Sequence, residues 1–298
     1  MAQNFENAKS RLENISTIEP LLGALRTMSM GTWQMALKNI EQMNTYEENY
    51  NHIIAEILPH IKKPRFKSKK RKDKKPEITD TIILLIGTER GLCGKFNDTL
   101  IDQSLNWIED LDVPSYQIWA MGSRLIRKLK PMDVKISWRQ ILPTTDLLTY
   151  QQAFIQTQKW VEQYEAYAFN HFFVLFNQIE KGGQYQFSTF ELLPYENQFL
   201  QTSQNQRTEK WPPPIIETDP KGIYFKIIQH YIAASFYKLT LKSAAAEHAA
   251  RFNLMEEAKN NAEDIIEELQ RVINSERKRQ ITQEMQELAA GAGLLDNQ

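Results

Sequence analysis

The chain has 298 residues, more than one small domain needs, and its 36 Lys and Arg against 37 Asp and Glu leave a formal net charge of -1, which excludes a wholesale basic footprint for nucleic acid. Its single cysteine, Cys93, excludes an internal disulfide framework, and His52, His60, His171, His230 and His248 follow no recognised ligand spacing, so no metal site is expected. The longest aliphatic run, Ile82–Ile86, is far short of the roughly 20 residues that span a bilayer, and the N-terminus has no apolar signal core, so a soluble or peripheral protein is expected.

The first sixty residues carry apolar side chains mostly three and four apart: Phe5, Ala8, Leu12, Ile15, Leu22, Leu25, Met28 or Ser29, Trp33, Ala36, Ile40, Met43, Tyr50, Ile54 and Ile57. That heptad stripe predicts a helix of about 80 Å, with a kink or a division into two segments at Pro20, which lacks a backbone donor. Residues 62 to 75 then hold ten Lys or Arg and one Asp, a local charge of +9 that leaves -10 on the rest of the chain. Bounded by Pro64 and Pro76, this run reads as an exposed linker, or as a dock for an acidic partner or anionic headgroups.

Beyond it the texture changes. Strands are predicted at Thr81–Gly87, doubly buried by its unbroken aliphatic run, and at Tyr116–Met121, Asp133–Ile141, His171–Ile179 and Phe187–Leu193. Helices are predicted between them at Asn97–Glu109, Ser123–Lys130 and Thr149–Ala168. This alternation implies a three-layer unit with a mostly parallel sheet. An irregular connection containing Pro212, Pro213 and Pro214 leads to a second very long helix from Ile223, about 100 Å if continuous to residue 290. Its seam is predicted at Ala258, Ala262, Ile265, Leu269, Val272, Glu276 and Arg279, and the small residues of Ser243–Ala250 would let a neighbouring helix come close.

The expected fold class is therefore α/β: a long antiparallel coiled coil of N- and C-terminal helices plus a Rossmann-like α/β domain, a shaft with a bulge. The expected divisions are residues 1–60 (coiled-coil helix), 61–77 (basic linker), 78–200 (α/β domain), 201–222 (connection) and 223–298 (coiled-coil helix).

Little in the chain speaks for catalysis. The glycines Gly87, Gly91 and Gly94 follow a buried strand and precede a helix, where a dinucleotide turn would stand, but their spacing is not Gly-x-Gly-x-x-Gly and no Lys-Ser or Lys-Thr follows. A tight structural turn made by Gly91, Cys93, Gly94 and Asn97 is expected instead. Cys93 has no histidine near in sequence to activate it and is read as a packed small side chain. Carboxylate pairs such as Glu263-Asp264 and Glu267-Glu268 read as solvated helix surface. No cofactor is expected.

The C-terminal residues Ser243 to Arg251, then Met255, Ala258, Asn261-Ala262, Leu269, Asn274, Arg277, Ile281-Thr282-Gln283-Glu284 and Gly291-Ala292 resemble the gamma subunit of rotary F-type ATP synthases, as do Gly91-Leu92-Cys93-Gly94 with Asn97 and Leu192-Leu193-Pro194. The resemblance implies a non-catalytic central-stalk rotor in a hetero-oligomer with alpha and beta subunits, the epsilon subunit and the c-subunit ring, peripheral on the cytoplasmic side of the inner membrane. It also implies that Asn274, Arg277, Lys278 and Thr282 contact the beta subunit, with Lys278 standing where the family has glutamine. Residues 18 to 36 depart further: Arg26 is their only basic residue, whereas the family carries several, so the residues for its usual electrostatic contact are missing.

Two other readings compete with the rotor. One is a divergent gamma-like scaffold tethered by its basic loop without energy coupling; the other, resting only on the glycine turn, is a doubly wound nucleotide-binding enzyme.

Overall fold

The computed structural model describes residues 2–61, 81–111, 113, 115–132, 134–144, 147–166, 168–180, 184–194 and 215–291. The basic run, Pro212–Pro214 and the Asp133 end of the third predicted strand lie outside the described residues. Helix α1 spans Ala2–Ile57, followed by a 3-10 turn at Leu58–His60. Then come β1 (Thr81–Ile86), α2 (Phe96–Asp110), β2 (Tyr116–Met121), α3 (Ser123–Leu129), a 3-10 turn at Lys130–Met132, β3 (Ile136–Gln140) and α4 (Tyr150–Glu165). Strands β4 (His171–Ile179) and β5 (Tyr185–Leu193) precede the last helix, α5 (Pro220–Gly291).

Pro20 does not divide α1, which is assigned as helix without a break from Ala2 to Ile57. Both Pro20 and Ser16, whose carbonyl loses its partner, are exposed, so water can replace the missing bond. The other long helix starts three residues before the predicted Ile223. Asp219 caps it, its carboxylate accepting from the backbone N–H of Lys221 and Gly222 at 3.2 Å each, and Pro220 occupies the first turn, where no donor is needed.

The chain divides into two compact units, residues 1–29 with 252–298 and residues 30–251. In the first, the beginning of α1 packs against the end of α5. Arg26 pairs with Glu256, and Glu19 lies 3.5 Å from Lys259, so rising numbers in one helix meet falling numbers in the other and the pair is antiparallel. Ala8, Ser29, Met255, Ala262 and Leu269 are buried there.

The seam on α5 departs from its predicted course at two points, Val272 and Arg279. Val272 is 44% exposed, while Ile273 beside it is partly covered. The covered positions 262, 266, 269, 273 and 276 still step by four and three, so the seven-residue count holds through 262, 269 and 276; only the alternate position moves one residue later, from Ile265 and Ile266, both partly covered, to Ile273. Glu276 is half-buried as expected of a polar seam position, whereas Arg279 is exposed.

In the second unit a five-stranded sheet has the order β3-β2-β1-β4-β5, parallel except for β5, which pairs antiparallel with β4. Strand β1 is buried at all six residues because both faces are covered. Ile83 and Leu85 join Ile118, Ala120 and Leu175 under α2 and α3, whereas Ile82, Leu84 and Ile86 join Trp119, Phe172 and Val174 on the opposite face. There they meet α4 and residues Tyr224 to Leu241 of α5, with Ile54 and Ile57 of α1 in the same cluster. Burial of one such aliphatic side chain stabilises by about 1.5–3 kcal/mol, so covering both faces fixes the three layers. Thr149 closes α4 with a capping box, accepting from the backbone of Gln152 at 3.3 Å while the Gln152 side chain accepts from the Thr149 backbone at 3.0 Å.

Candidate functional site

In an open parallel sheet the ligand crevice lies beyond the carboxyl ends of the strands, where the order reverses. Here that point is the turn after β1, from Gly87 to Gly94, between β2 on one side and β4 on the other. Gly87 is required by space, because an added Cβ would stand 2.5 Å from the Cβ of Leu125 and 2.7 Å from Oδ1 of Asn97. Gly94 is required by conformation, with φ +59, and Leu92 adopts φ +64 without being glycine.

Asn97 fixes the turn as the sequence leads one to expect. Its Oδ1 accepts from the backbone N–H of Thr88 at 3.1 Å, and its Nδ2 donates to the Thr88 hydroxyl at 2.8 Å. Cys93 is buried against Phe96 and Ala246, and burial raises its thiol pKa, so the unreactive thiol is favoured. Gly91 lies beside Arg124 and offers its carbonyl to α5.

Helix α5 itself fills the crevice. Ser243 donates from its hydroxyl to the carbonyl of Ile86 at 3.3 Å, and Ala246 packs on Cys93 and Phe96. The small residues of Ser243–Ala250, predicted to admit a neighbouring helix, receive the carboxyl end of β1, the turn after it and Phe96 at the start of α2. What is left is a cavity of about 50 Å³, bordered by Glu89, Arg90, Glu247, His248 and Arg251 among others. That is several-fold below the roughly 300 Å³ at which ligand pockets begin.

The electrostatics also oppose a phosphate. Glu89 accepts from the backbone N–H and hydroxyl of Ser123, at 3.0 and 2.5 Å, and from the backbone N–H of Leu142 at 2.9 Å. A protein carboxylate therefore occupies the start of α3, where an anionic ligand would compete. Among the described residues no group of three His, Cys, Asp or Glu side chains could hold a metal ion.

Two features escaped the sequence. One is Glu89, whose sole local signal is a carboxylate three residues beyond a buried strand. The other is a buried pair in the alanine-rich run, where Arg251 donates to Glu247 at 2.5 Å, to the Gly91 carbonyl at 3.1 Å, and meets Nδ1 of His248 at 3.2 Å. A charged i, i+4 pair amid residues destined for burial was the available sign. Burial pushes the Glu247 carboxyl up, with Arg251 opposing, and burial with the nearby Arg251 and Arg90 lowers His248 to about 4.

The second candidate site lies near the end of α5. Asn274, Arg277, Lys278 and Thr282 are all exposed, and at 100° per residue they fall within one face, turned away from the covered positions 269, 273 and 276. The exposed Ile281, Met285 and Leu288 lie on that same face. Thr282 donates its hydroxyl to the carbonyl of Lys278 at 2.9 Å, while neither Arg277 nor Lys278 forms an ion pair with a described residue. The structure therefore gathers the four residues without showing what they touch. Arg26, the lone cation of residues 18 to 36, is held inside its unit by Glu256 and lies 5.6 Å over the Phe252 ring.

Comparison with known proteins agrees with this architecture. The model of the ATP synthase family matches residues 4–295. The chain is 23% identical to the ATP synthase gamma chain of Fusobacterium nucleatum over 294 residues, covering 98% of this chain and 99% of that one. It is 24% identical to the ATP synthase gamma chain of Lactococcus lactis over 299 residues, covering 99% and 100%. Among solved structures, a chain of the Euglena gracilis mitochondrial ATP synthase superposes with a TM-score of 0.59 at 12% identity, covering 99% of this chain and 95% of that one. A central-stalk chain of the Tetrahymena thermophila enzyme gives 0.55 at 18% identity, covering 80% and 99%. With a family match over almost its whole length and the same fold in both structures, the chain belongs to the ATP synthase family.

Proposed function

We propose that the chain is the central-stalk rotor subunit of an F-type ATP synthase, coupling ion flow through a membrane ring to ATP synthesis or hydrolysis in a head of alpha and beta subunits. The observation that carries this reading is the family match from residue 4 to 295 on a chain whose two long helices bracket a sheet with a filled ligand crevice. The chain itself performs no bond chemistry in this account. It presents different faces of one helix to chemically similar neighbours, and each neighbour's nucleotide affinity follows the face it meets.

The contact face is Asn274, Arg277, Lys278 and Thr282, and its partner is a beta subunit. Arg277 and Lys278 supply charge to that contact, and Ile281, Met285 and Leu288 supply apolar area that solvent would otherwise cover. The α/β unit meets the c-subunit ring and the epsilon subunit. The subunit sits peripherally, on the cytoplasmic side of the inner membrane; no helix among the described residues is long and apolar enough to cross a membrane. Arg26 is engaged within its own unit, so contacts of residues 18 to 36 with the head rest on apolar side chains such as Leu21 and Met28.

Co-expression with its alpha and beta subunits, followed by isolation through a tag on this chain, tests the proposal. A complex that hydrolyses ATP, with hydrolysis weakened or uncoupled when the chain stops after Asn274, supports the rotor. A stable complex that never couples hydrolysis to ion movement supports the tethered scaffold instead.

A further inference from the structure

Helix α5 meets the rest of the second unit in two different ways. From Tyr224 to Leu241 it contributes large side chains, with the Phe236 ring 4.8 Å from Trp160 in a core of interleaved aromatics. From Ser243 to Ala250 it offers mostly alanine to the carboxyl end of β1 and the turn that follows. Contact between small apolar side chains resists separation but is non-directional, so it offers little resistance to a helix turning about its axis.

Ser243 gives that surface one directional bond at its start, to the Ile86 carbonyl, and Arg251, the last residue of α5 in this unit, gives another at its end. Its side chain is only 6% exposed, and all three guanidinium nitrogens are engaged. Two are held on the helix itself, by Glu247 and His248, which leaves Nε aimed away from the helix at the Gly91 carbonyl. The carbonyl belongs to a turn that is itself firmly placed: Leu92 and Gly94 take left-handed conformations, and Asn97 grips Thr88 at two points. A planar guanidinium held at two corners is a directional connector, which an ammonium on a flexible stem is not.

A buried ion pair is by itself weak evidence of stabilisation, since desolvation offsets most of its attraction. The geometry points to another role. We propose that Arg251, oriented by Glu247, is the residue that keeps the turn after β1 in angular register with the end of α5 in this unit, beyond the reach of the aromatic core, when torque passes along the helix. It is a positioning residue for energy coupling, and it rests on the rotor reading above.

The test uses the complete membrane complex carrying R251A, E247Q or the double apolar replacement E247L/R251L. ATP hydrolysis, ATP-driven ion pumping and thermal melting of the complex are measured together. The expected result is that R251A hydrolyses ATP while the ions pumped per ATP fall by at least about two-fold, the lower end of the coupling between residues in direct contact. E247Q lies between R251A and wild type. E247L/R251L regains thermal stability, because no charge is left buried alone, yet its pumping ratio stays low because Gly91 has no donor. Unchanged pumping per ATP in R251A overturns the proposal. So does a deficit that follows melting temperature and disappears in E247L/R251L. A wild-type complex that assembles without pumping overturns the rotor reading itself, which separates the two failures.

Discussion

Asn97 holds Thr88 with both ends of its carboxamide, taking the backbone N–H at 3.1 Å and giving to the hydroxyl at 2.8 Å, so one side chain of α2 fixes the path of the chain as it leaves β1. Both bonds are buried. Replacing Asn97 with Leu strands the Thr88 N–H and should cost about 2–4 kcal/mol, since a buried donor left alone loses about 1–3 kcal/mol beyond the bond itself. Asn97→Asp, which keeps the acceptor, should cost less than Asn97→Leu. Urea unfolding of the chain checks the order.

Gly87 and Gly94 should respond differently to alanine. At Gly87 the new methyl meets Leu125 and Asn97 inside 3 Å, and overpacking of this kind costs typically about 1–3 kcal/mol. At Gly94 nothing lies within 4 Å and only the left-handed backbone is at issue, for about 1 kcal/mol. Equal urea midpoints for Gly87→Ala and wild type would contradict the close approach of β1 to α3.

His248 gives the second unit a pH dependence of known sign. Burial lowers its pKa from 6.5 to about 4, with Arg251 and Arg90 acting in the same direction, so the folded chain holds it neutral. As pH falls through 6.5 the unfolded chain takes the proton first. Stability from this group is whole at neutral pH and declines between about 6.5 and 4, by on the order of 3 kcal/mol at most. The buried Glu247 carboxylate beside it titrates too, so the quantity to measure is the difference between wild type and His248→Gln. That difference in unfolding free energy should change between pH 7 and pH 4, and should not change above pH 7.

Ion pairs in the two units should differ in strength. Arg26 and Glu256 are 34% and 40% exposed, so Arg26→Met, which keeps an apolar stem for Phe252, should cost under about 1 kcal/mol and less still at high salt. Arg251→Ala strands a buried Glu247 and should cost about 3–5 kcal/mol. Thermal melts at low and high salt distinguish them.

The sheet was legible because its strands carry one signal each. Ile82 to Ile86 admits no polar residue, and His171–Ile179 and Tyr116–Met121 have the predicted limits. The stripe of α1 was legible for the same reason, and at the position left open between Met28 and Ser29 it is Ser29 that is buried. Val272 was misplaced because it and its neighbour Ile273 are both apolar, and the pattern alone does not say which of the two the facing helix covers. The division at Pro20 does not occur because the cost of one missing bond is local, while the packing of Leu12, Ile15, Leu22 and Leu25 extends along both flanks.

Of the candidate site, the turn was readable from Gly91, Cys93, Gly94 and Asn97, since glycine spacing and a helix start are local. The hold of Arg251 on Gly91 was not, because it joins residues 160 positions apart and no local pattern records such a distance. The Asn274, Arg277, Lys278 and Thr282 face came from resemblance alone. Its exposure agrees with a partner contact, and the partner has to be found by experiment.

The central claim is that the end of α5 turns inside a ring of neighbours. Cys93 is buried, so Thr282→Cys introduces one accessible thiol that can be joined by a disulfide to a cysteine placed on a beta subunit of the assembled head. The account predicts that ATP hydrolysis stops in the oxidised complex and returns when the bond is reduced. Full hydrolysis with the bond intact would contradict it.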